Sequence, residues 1–126
     1  MSDREYLIRL PWPAPRQSPN ASGQGKWRAK SEASKSYKET CGWECKALGV
    51  VKADYEYAFV EVTFYPPRHG KYDLDNALAS IKQGLDAVAA AIGIDDSQWQ
   101  EMRLLRGGKG AGGSVLVHIK PWMEKV

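Results

Sequence analysis

The sequence predicts a single small α/β domain in which a mixed β-sheet packs against two main helices. Segments with strand-like and helix-like patterns follow one another in the order strand, helix, strand, helix, strand, strand, and this order is typical of a mixed sheet covered by helices. The chain has 126 residues, of which 43% are hydrophobic, enough for one core and too few for two. We therefore treat residues 1–126 as one domain.

The first half of the chain is predicted to contain a strand, a loop and a helix. Residues 5–10 (EYLIRL) have a strand pattern that stops at a proline-rich turn. Residues 16–27 are rich in Pro, Gly, Ser and Asn and predict a surface loop. Residues 31–48 have a helix-forming composition, with Cys41 and Cys45 one turn apart. We expect these two cysteines to be reduced thiols in or beside the core.

The second half is predicted to contain a strand, a long helix and a hairpin. Residues 55–65 (YEYAFVEVTFY) alternate in the manner of a half-buried strand. A helix is expected from the DLDN sequence at 73–76 to Ile92, with Gly93 as its stop. Its apolar side is formed by residues spaced three and four apart, Leu78, Ile81, Leu85, Val88 and Ile92. The strands at 102–106 and 114–119 are joined by GGKGAGG, which predicts a hairpin.

Basic residues are concentrated in the first half of the chain, although the net charge is only +3. Residues 1–52 contain ten Lys or Arg and five Asp or Glu, whereas residues 53–126 contain eight and ten. This distribution suits a protein that binds a polyanion with one region and a cation with another. The candidate phosphate contacts are Arg16, Lys26, Arg28, Lys30, Lys35 and Lys38, followed by Arg68 and Lys71 shortly before DLDN.

The N-terminus and the hydropathy pattern predict a cytoplasmic protein without a membrane partner. No stretch of about 18 apolar residues is present. The opening MSDREYLIRL has acidic residues where a signal peptide has basic residues followed by a long apolar segment.

Four aspartates flank the helix predicted after DLDN. Asp73 and Asp75 stand at its start, and Asp95 and Asp96 follow its end. A helix start needs one capping side chain, and either Asp75 or Asn76 can supply it. Carboxylates folded together repel one another unless a cation lies between them, and hard oxygen ligands suit Mg²⁺. The sequence is therefore consistent with a magnesium site that acts on a phosphodiester, and a capped helix start at 73–76 and a polar turn at 95–96 are the alternatives.

Lys82 lies seven residues after Asp75. On one continuous helix the two side chains would project along the same side. A lysine in this position can neutralise a phosphate or the negative charge that develops during hydrolysis.

Two other aspartate motifs fit less well. A calcium-binding EF-hand loop that starts at Asp73 requires Gly at Leu78 and Glu at Gly84, and neither residue is present. Phosphatases of the haloacid-dehalogenase kind also use a D-x-D motif. In that class the first Asp directly follows a buried strand, whereas PPRHGKY separates them here.

The ordered motifs resemble the RusA family of Holliday-junction resolvases, small endodeoxyribonucleases of phages and prophages. LIRLPWPAP is similar to that family's first strand and proline-rich turn, and SPNASGQGKWRAKSEASKSYK to its basic loop and helix. The segments YPPRHGKYDLDN and GIDDSQW resemble the two parts of its metal site.

The resemblance implies a homodimeric crossover junction endodeoxyribonuclease that uses Mg²⁺, with Mn²⁺ as a substitute. Such an enzyme cuts four-way junctions in DNA by paired symmetric nicks during recombination and repair. The resemblance also implies that Asp73, Asp75 and Asp96 are catalytic residues that bind the metal, and that Asn76 and Asp95 support them.

The position of the catalytic lysine depends on how the resemblance is anchored. Anchored on KQGLDA, the family's lysine matches Lys82, whereas anchored on DLDN it falls at the place of Ala79. Two other functions stay open: a non-catalytic module of the same fold that binds branched DNA, and a phosphatase-like enzyme.

Overall fold

The fold is an α/β arrangement with a mixed four-stranded sheet, as the sequence predicts. The structure is a computed structural model that describes residues 5–13 and 24–123, with the backbone alone described for residues 24–34. In chain order its elements are β1 (Tyr6–Pro11), α1 (Gln24–Ala47), β2 (Ala58–Tyr65), α2 (Leu74–Ser80), α3 (Lys82–Ile92), a 3-10 turn (Asp96–Gln98), β3 (Trp99–Arg106) and β4 (Ser114–Pro121).

The sheet has the strand order β1-β4-β2-β3. Strand β4 is antiparallel to both β1 and β2, whereas β2 and β3 are parallel. The hairpin predicted between 102–106 and 114–119 is therefore wrong, because β2 lies between those two strands. The glycine-rich connection passes the end of β2, where the Gly107 amide donates to the Phe64 carbonyl at 2.8 Å. Seven residues are enough to cross one strand, since neighbouring strands lie about 4.8 Å apart.

The core lies between one face of the sheet and the helices. The predicted apolar side of the second helical region is confirmed: Ile81, Leu85, Val88 and Ile92 are buried, and Leu78 is half-buried. Both cysteines of α1 are buried free thiols, as expected. In the described part of the chain, no helix is long and apolar enough to span a membrane.

Helices α1 and α3 approach closely at Gly84. A Cβ added to Gly84 would lie 2.6 Å from Tyr37 Cε2 and 2.9 Å from Cys41 Sγ. The missing side chain therefore allows the two helices to pack against each other. The Tyr37 hydroxyl also donates to the Pro11 carbonyl at 2.7 Å, which ties α1 to the end of β1.

Helix α1 begins at Gln24, seven residues before the predicted start and inside the predicted loop. Most of the loop-forming residues of that segment precede Gln24, and KWRAK at 26–30 consists largely of helix-forming residues. Strand β2 begins at Ala58, three residues later than predicted.

The helix expected from DLDN to Ile92 is divided at Ile81, which has φ −106° and ψ 11°. The Ser80 hydroxyl donates to the Asn76 carbonyl at 3.0 Å, and such a bond to the carbonyl four residues earlier tends to bend a helix. Asp75 and Lys82 consequently lie on separate helices. The prediction that they project along one side of a continuous helix is wrong.

Candidate functional site

Asp73 and Asp75 lie at the start of α2 with exposed side chains. Asp73 occupies the flanking N-cap position, and its carboxylate makes no capping hydrogen bond. The expectation that Asp75 or Asn76 begins the helix is therefore wrong. Asn76 Nδ2 donates to Asp73 Oδ2 at 3.4 Å, and the Asn76 backbone N–H donates to Asp75 Oδ1 at 3.0 Å. Asn76 thus contacts both carboxylates, one through its side chain and one through its backbone.

Lys82 and Asp96 form an ion pair across the length of α3. Lys82 is the first residue of that helix and Asp96 is the first residue of the 3-10 turn after it. Lys82 Nζ lies 3.5 Å from Asp96 Oδ2, and the two side chains are 59% and 44% exposed. A pair as open as this contributes little to stability. It does bring the helical lysine and the closing acidic motif of the sequence together.

Asp95 holds the turn that carries Asp96. Its Oδ2 accepts hydrogen bonds from the Ser97 backbone at 3.1 Å and from the Ser97 hydroxyl at 2.6 Å. These bonds from Ser97 lower the pKa of the Asp95 carboxyl below its usual value. The Asp95 N–H donates to Gln98 Oε1 at 3.2 Å, and Gln98 Nε2 donates to the Glu56 carbonyl at 2.9 Å. The turn is therefore closed on itself and tied to the segment before β2.

The segment that leads to Asp73 is held by Arg106, the last residue of β3. Arg106 Nη1 donates to the Tyr72 carbonyl at 2.8 Å, and its guanidinium carbon lies 4.7 Å from the centroid of the Tyr72 ring. Trp12 packs edge-on against the same ring at 6.3 Å. Sequence reasoning missed Arg106 and Tyr72, because an arginine at a strand end carries no local signal of its partner.

The donor chemistry of the three predicted ligands fits Mg²⁺, since Asp73, Asp75 and Asp96 all offer exposed carboxylate oxygens. Within the described residues, however, no group of three His, Cys, Asp or Glu side chains is close enough to hold a metal. Asp73 follows Tyr72, which is bound to the last residue of β3, and Asp96 precedes the first residue of β3 by three positions. In this structure the Asp96 carboxylate contacts Lys82 rather than sharing a ligand group with the other two carboxylates.

Four of the predicted phosphate contacts have exposed side chains in the structure. Lys35 and Lys38 lie on α1, and Arg68 and Lys71 lie in the segment between β2 and α2, shortly before Asp73. Three others, Lys26, Arg28 and Lys30, lie on α1 where only the backbone is described. Arg16 lies outside the described residues.

Comparison with known proteins identifies a relative of this chain. No family model matches the chain. An uncharacterized protein of Xylella fastidiosa is 33% identical over 120 residues, a match that covers 89% of this chain and 74% of the relative. The chain therefore belongs to the same family as this Xylella fastidiosa protein.

Proposed function

We propose that the protein is a Mg²⁺-dependent, structure-selective endodeoxyribonuclease that resolves four-way DNA junctions by paired nicks in recombination and repair. The observation that carries the proposal is the contact between Lys82 and Asp96. It joins a lysine and a carboxylate that lie 14 positions apart and that both belong to the RusA-like motif of the sequence. Two further carboxylates of that motif, Asp73 and Asp75, are exposed at the start of α2.

Each of these side chains has a role in the proposed reaction. Asp73, Asp75 and Asp96 would hold Mg²⁺ through hard oxygen donors, which requires Asp96 to leave Lys82 and join the other two carboxylates. When bound, Mg²⁺ lowers the pKa of a water molecule and offsets negative charge on the phosphodiester. Asn76 orients the carboxylate of Asp73 through its amide. Lys82 supplies positive charge to the phosphate once Asp96 has exchanged its contact with Lys82 for one with the cation.

Substrate binding is proposed to depend on the basic side chains around this site. Arg68 and Lys71 are exposed just before Asp73, and Lys35 and Lys38 are exposed on α1. Contacts of this kind to phosphates make affinity fall steeply as the salt concentration rises. A homodimer with two identical sites would match the two-fold symmetry of a four-way junction. The proposed setting is the cytoplasm of a bacterial host of a phage or prophage.

A second candidate is a non-catalytic module that binds branched DNA. It is favoured by the arrangement of the carboxylates, because Asp96 contacts Lys82 and no group of three ligands is gathered within the described residues. The two candidates share the DNA-binding surface and differ in whether Mg²⁺ or Mn²⁺ supports hydrolysis.

One comparison of substrates tests the proposal. Purified protein is incubated with a four-way junction and with linear duplexes of the same arm sequences, at one salt concentration, with Mg²⁺ or with EDTA. The proposal expects paired nicks in the junction with Mg²⁺, little cutting of the duplex, and none with EDTA. Junction binding without nicks in either Mg²⁺ or Mn²⁺ would favour the second candidate.

A further inference from the structure

We propose that Arg106 is a positioning residue for the metal site, acting on Asp73 through Tyr72. This inference rests on the proposed function, because it treats Asp73 as a metal ligand. Arg106 lies at the end of β3 and comes from a different part of the chain than the acidic motifs, 34 positions from Tyr72. Through its hydrogen bond to the Tyr72 carbonyl, Arg106 connects the sheet to the peptide unit that precedes Asp73.

Arg106 contacts Tyr72 at two points. One is the hydrogen bond from Nη1 to the Tyr72 carbonyl at 2.8 Å, and the other is the stack of the guanidinium on the ring at 4.7 Å. The carbonyl belongs to the peptide unit whose nitrogen is that of Asp73. Because a peptide unit is planar, fixing the carbonyl oxygen also fixes the direction in which the chain enters Asp73.

An arginine is suited to this double contact and a lysine is not. The guanidinium is planar, so it can lie flat on an aromatic ring while an N–H in its plane donates to an acceptor beside the ring. A lysine ammonium is a compact charge that can approach the ring or the carbonyl without the same fixed geometry. In the described part of the chain, the buried Tyr72 hydroxyl has no hydrogen-bond partner. The described polar contact that orients Tyr72 is therefore made through its backbone.

The beginning of the same segment is fixed by the connection that follows Arg106. The Gly110 amide donates to the Pro66 carbonyl at 2.9 Å. A Cβ added to Gly113 would lie 2.8 Å from Pro67 Cδ and 3.0 Å from Trp12 Cβ, so this glycine packs tightly against the segment. Residues 66–72 are thus held at their first end by the connection between β3 and β4, and at their last end by Arg106 of β3. Asp73 is the first residue after this segment.

The chain offers two matched controls. Arg103 lies on the same strand, and its guanidinium carbon is 5.9 Å from the centroid of the Phe59 ring on the opposite face of the sheet. Arg103→Gln therefore removes the same charge and a similar stack, together with an ion pair to Glu61 at 3.5 Å, without touching Tyr72. Tyr72→Phe removes only the unpartnered hydroxyl and leaves the ring and the carbonyl that Arg106 contacts.

The experiment measures Mn²⁺ binding and junction binding separately for native protein, Arg106→Gln, Arg106→Lys and the two controls. Mn²⁺ affinity is followed by the electron paramagnetic resonance signal of the free ion, and junction affinity is measured in EDTA. We expect both Arg106 variants to bind Mn²⁺ about tenfold more weakly, the lower end of the usual effect of residues that orient a metal ligand. We expect Arg103→Gln and Tyr72→Phe to bind Mn²⁺ as the native protein does. Arg106→Lys should keep native junction affinity.

The outcomes separate this inference from the proposed function. If native protein binds Mn²⁺ and nicks junctions, and both Arg106 variants bind Mn²⁺ equally well, Arg106 is not a positioning residue although the function stands. If Arg106→Lys binds Mn²⁺ as tightly as native protein does and Arg106→Gln loses junction affinity, the positive charge at position 106 acts on DNA. The inference is then also wrong. If native protein neither binds Mn²⁺ nor nicks a junction, both proposals fail.

Discussion

Lys82 Nζ lies 3.5 Å from Asp96 Oδ2 and so joins the first residue of α3 to the turn that follows its last residue. Both side chains are substantially exposed, so the pair is open to exchange with a phosphate or a cation. In the proposed reaction, Asp96 would bind the metal and so release Lys82 to the substrate phosphate. This relationship makes Lys82 the first residue to test.

Lys82→Met is expected to lower the rate of junction cleavage by about 100-fold or more, because one donor of positive charge is lost at the reacting phosphate. The free energy of unfolding should change by less than about 1 kcal/mol, since the ion pair is exposed. Cleavage is measured in single-turnover reactions and stability by urea unfolding. Lys120→Met, which removes a lysine stacked on Phe59, is the control and should cut at the native rate.

A second lysine tests which of the two sequence registers is correct. Ala79 is exposed on α2, one turn after Asp75, so a lysine is accommodated there without repacking. We expect Ala79→Lys to leave the lowered cleavage rate of Lys82→Met unchanged, because position 79 is not the one that contacts Asp96. Recovery of cleavage in the double variant would assign the catalytic position to residue 79. Native activity in Lys82→Met alone would remove Lys82 from the mechanism.

Gly84→Ala should destabilise the fold by about 1–3 kcal/mol, the usual cost of overpacking. The added Cβ would lie within 3 Å of both Tyr37 and Cys41. Gly42→Ala is the matched control, because a Cβ at Gly42 would meet nothing within 4 Å. In the middle of α1 that change should stabilise by about 0.5–1 kcal/mol. Urea unfolding of both variants checks the difference in sign, and equal stabilities would contradict the helix contact.

The stability of the protein is expected to fall at alkaline pH because of Cys41. Burial raises the pKa of the Cys41 thiol from 9.0 to about 12, so the folded state keeps this proton over a range in which the unfolded state releases it. The resulting stabilisation is complete below about pH 9. It is lost progressively as the pH rises from 9 toward 12.

Urea unfolding at intervals between pH 7 and 10 measures this effect. The free energy of unfolding should be nearly constant to about pH 8.5 and then decline. Cys41→Ala should decline less steeply over the same range, because its unfolded state has one thiol fewer to ionise. Parallel declines in native protein and Cys41→Ala would show that another group is responsible.

Local patterns predicted the elements well where packing does not override them. The alternation in β2 and the apolar spacing of residues 78–92 each reflect burial on one side, so the period was visible in the sequence. The division of the helix at Ile81 was not visible. It coincides with a hydrogen bond from the Ser80 hydroxyl to the Asn76 carbonyl, and serine in a helix often makes no such bond.

Long-range pairing was the part that sequence could not supply. Two strand patterns joined by a glycine-rich segment suggested a hairpin, yet β2 occupies the place between them. Strand order depends on contacts among all four strands and leaves no local mark. The same holds for Arg106, whose partner Tyr72 is distant in the chain. The acidic motifs were visible because they are local, whereas the pairing of Asp96 with Lys82 became known only from the fold.

The most direct test of the proposed function compares Asp75→Asn with Asp86→Asn, a control on the neighbouring helix α3, for cleavage and binding of the same four-way junction in Mg²⁺. We predict that Asp75→Asn loses at least about 100-fold in cleavage. It should bind the junction as tightly as native protein or more tightly, since a negative charge near the phosphates is removed. Asp86→Asn should cut and bind as native protein does. Cleavage by Asp75→Asn at the native rate would contradict the assignment of this motif as the active site.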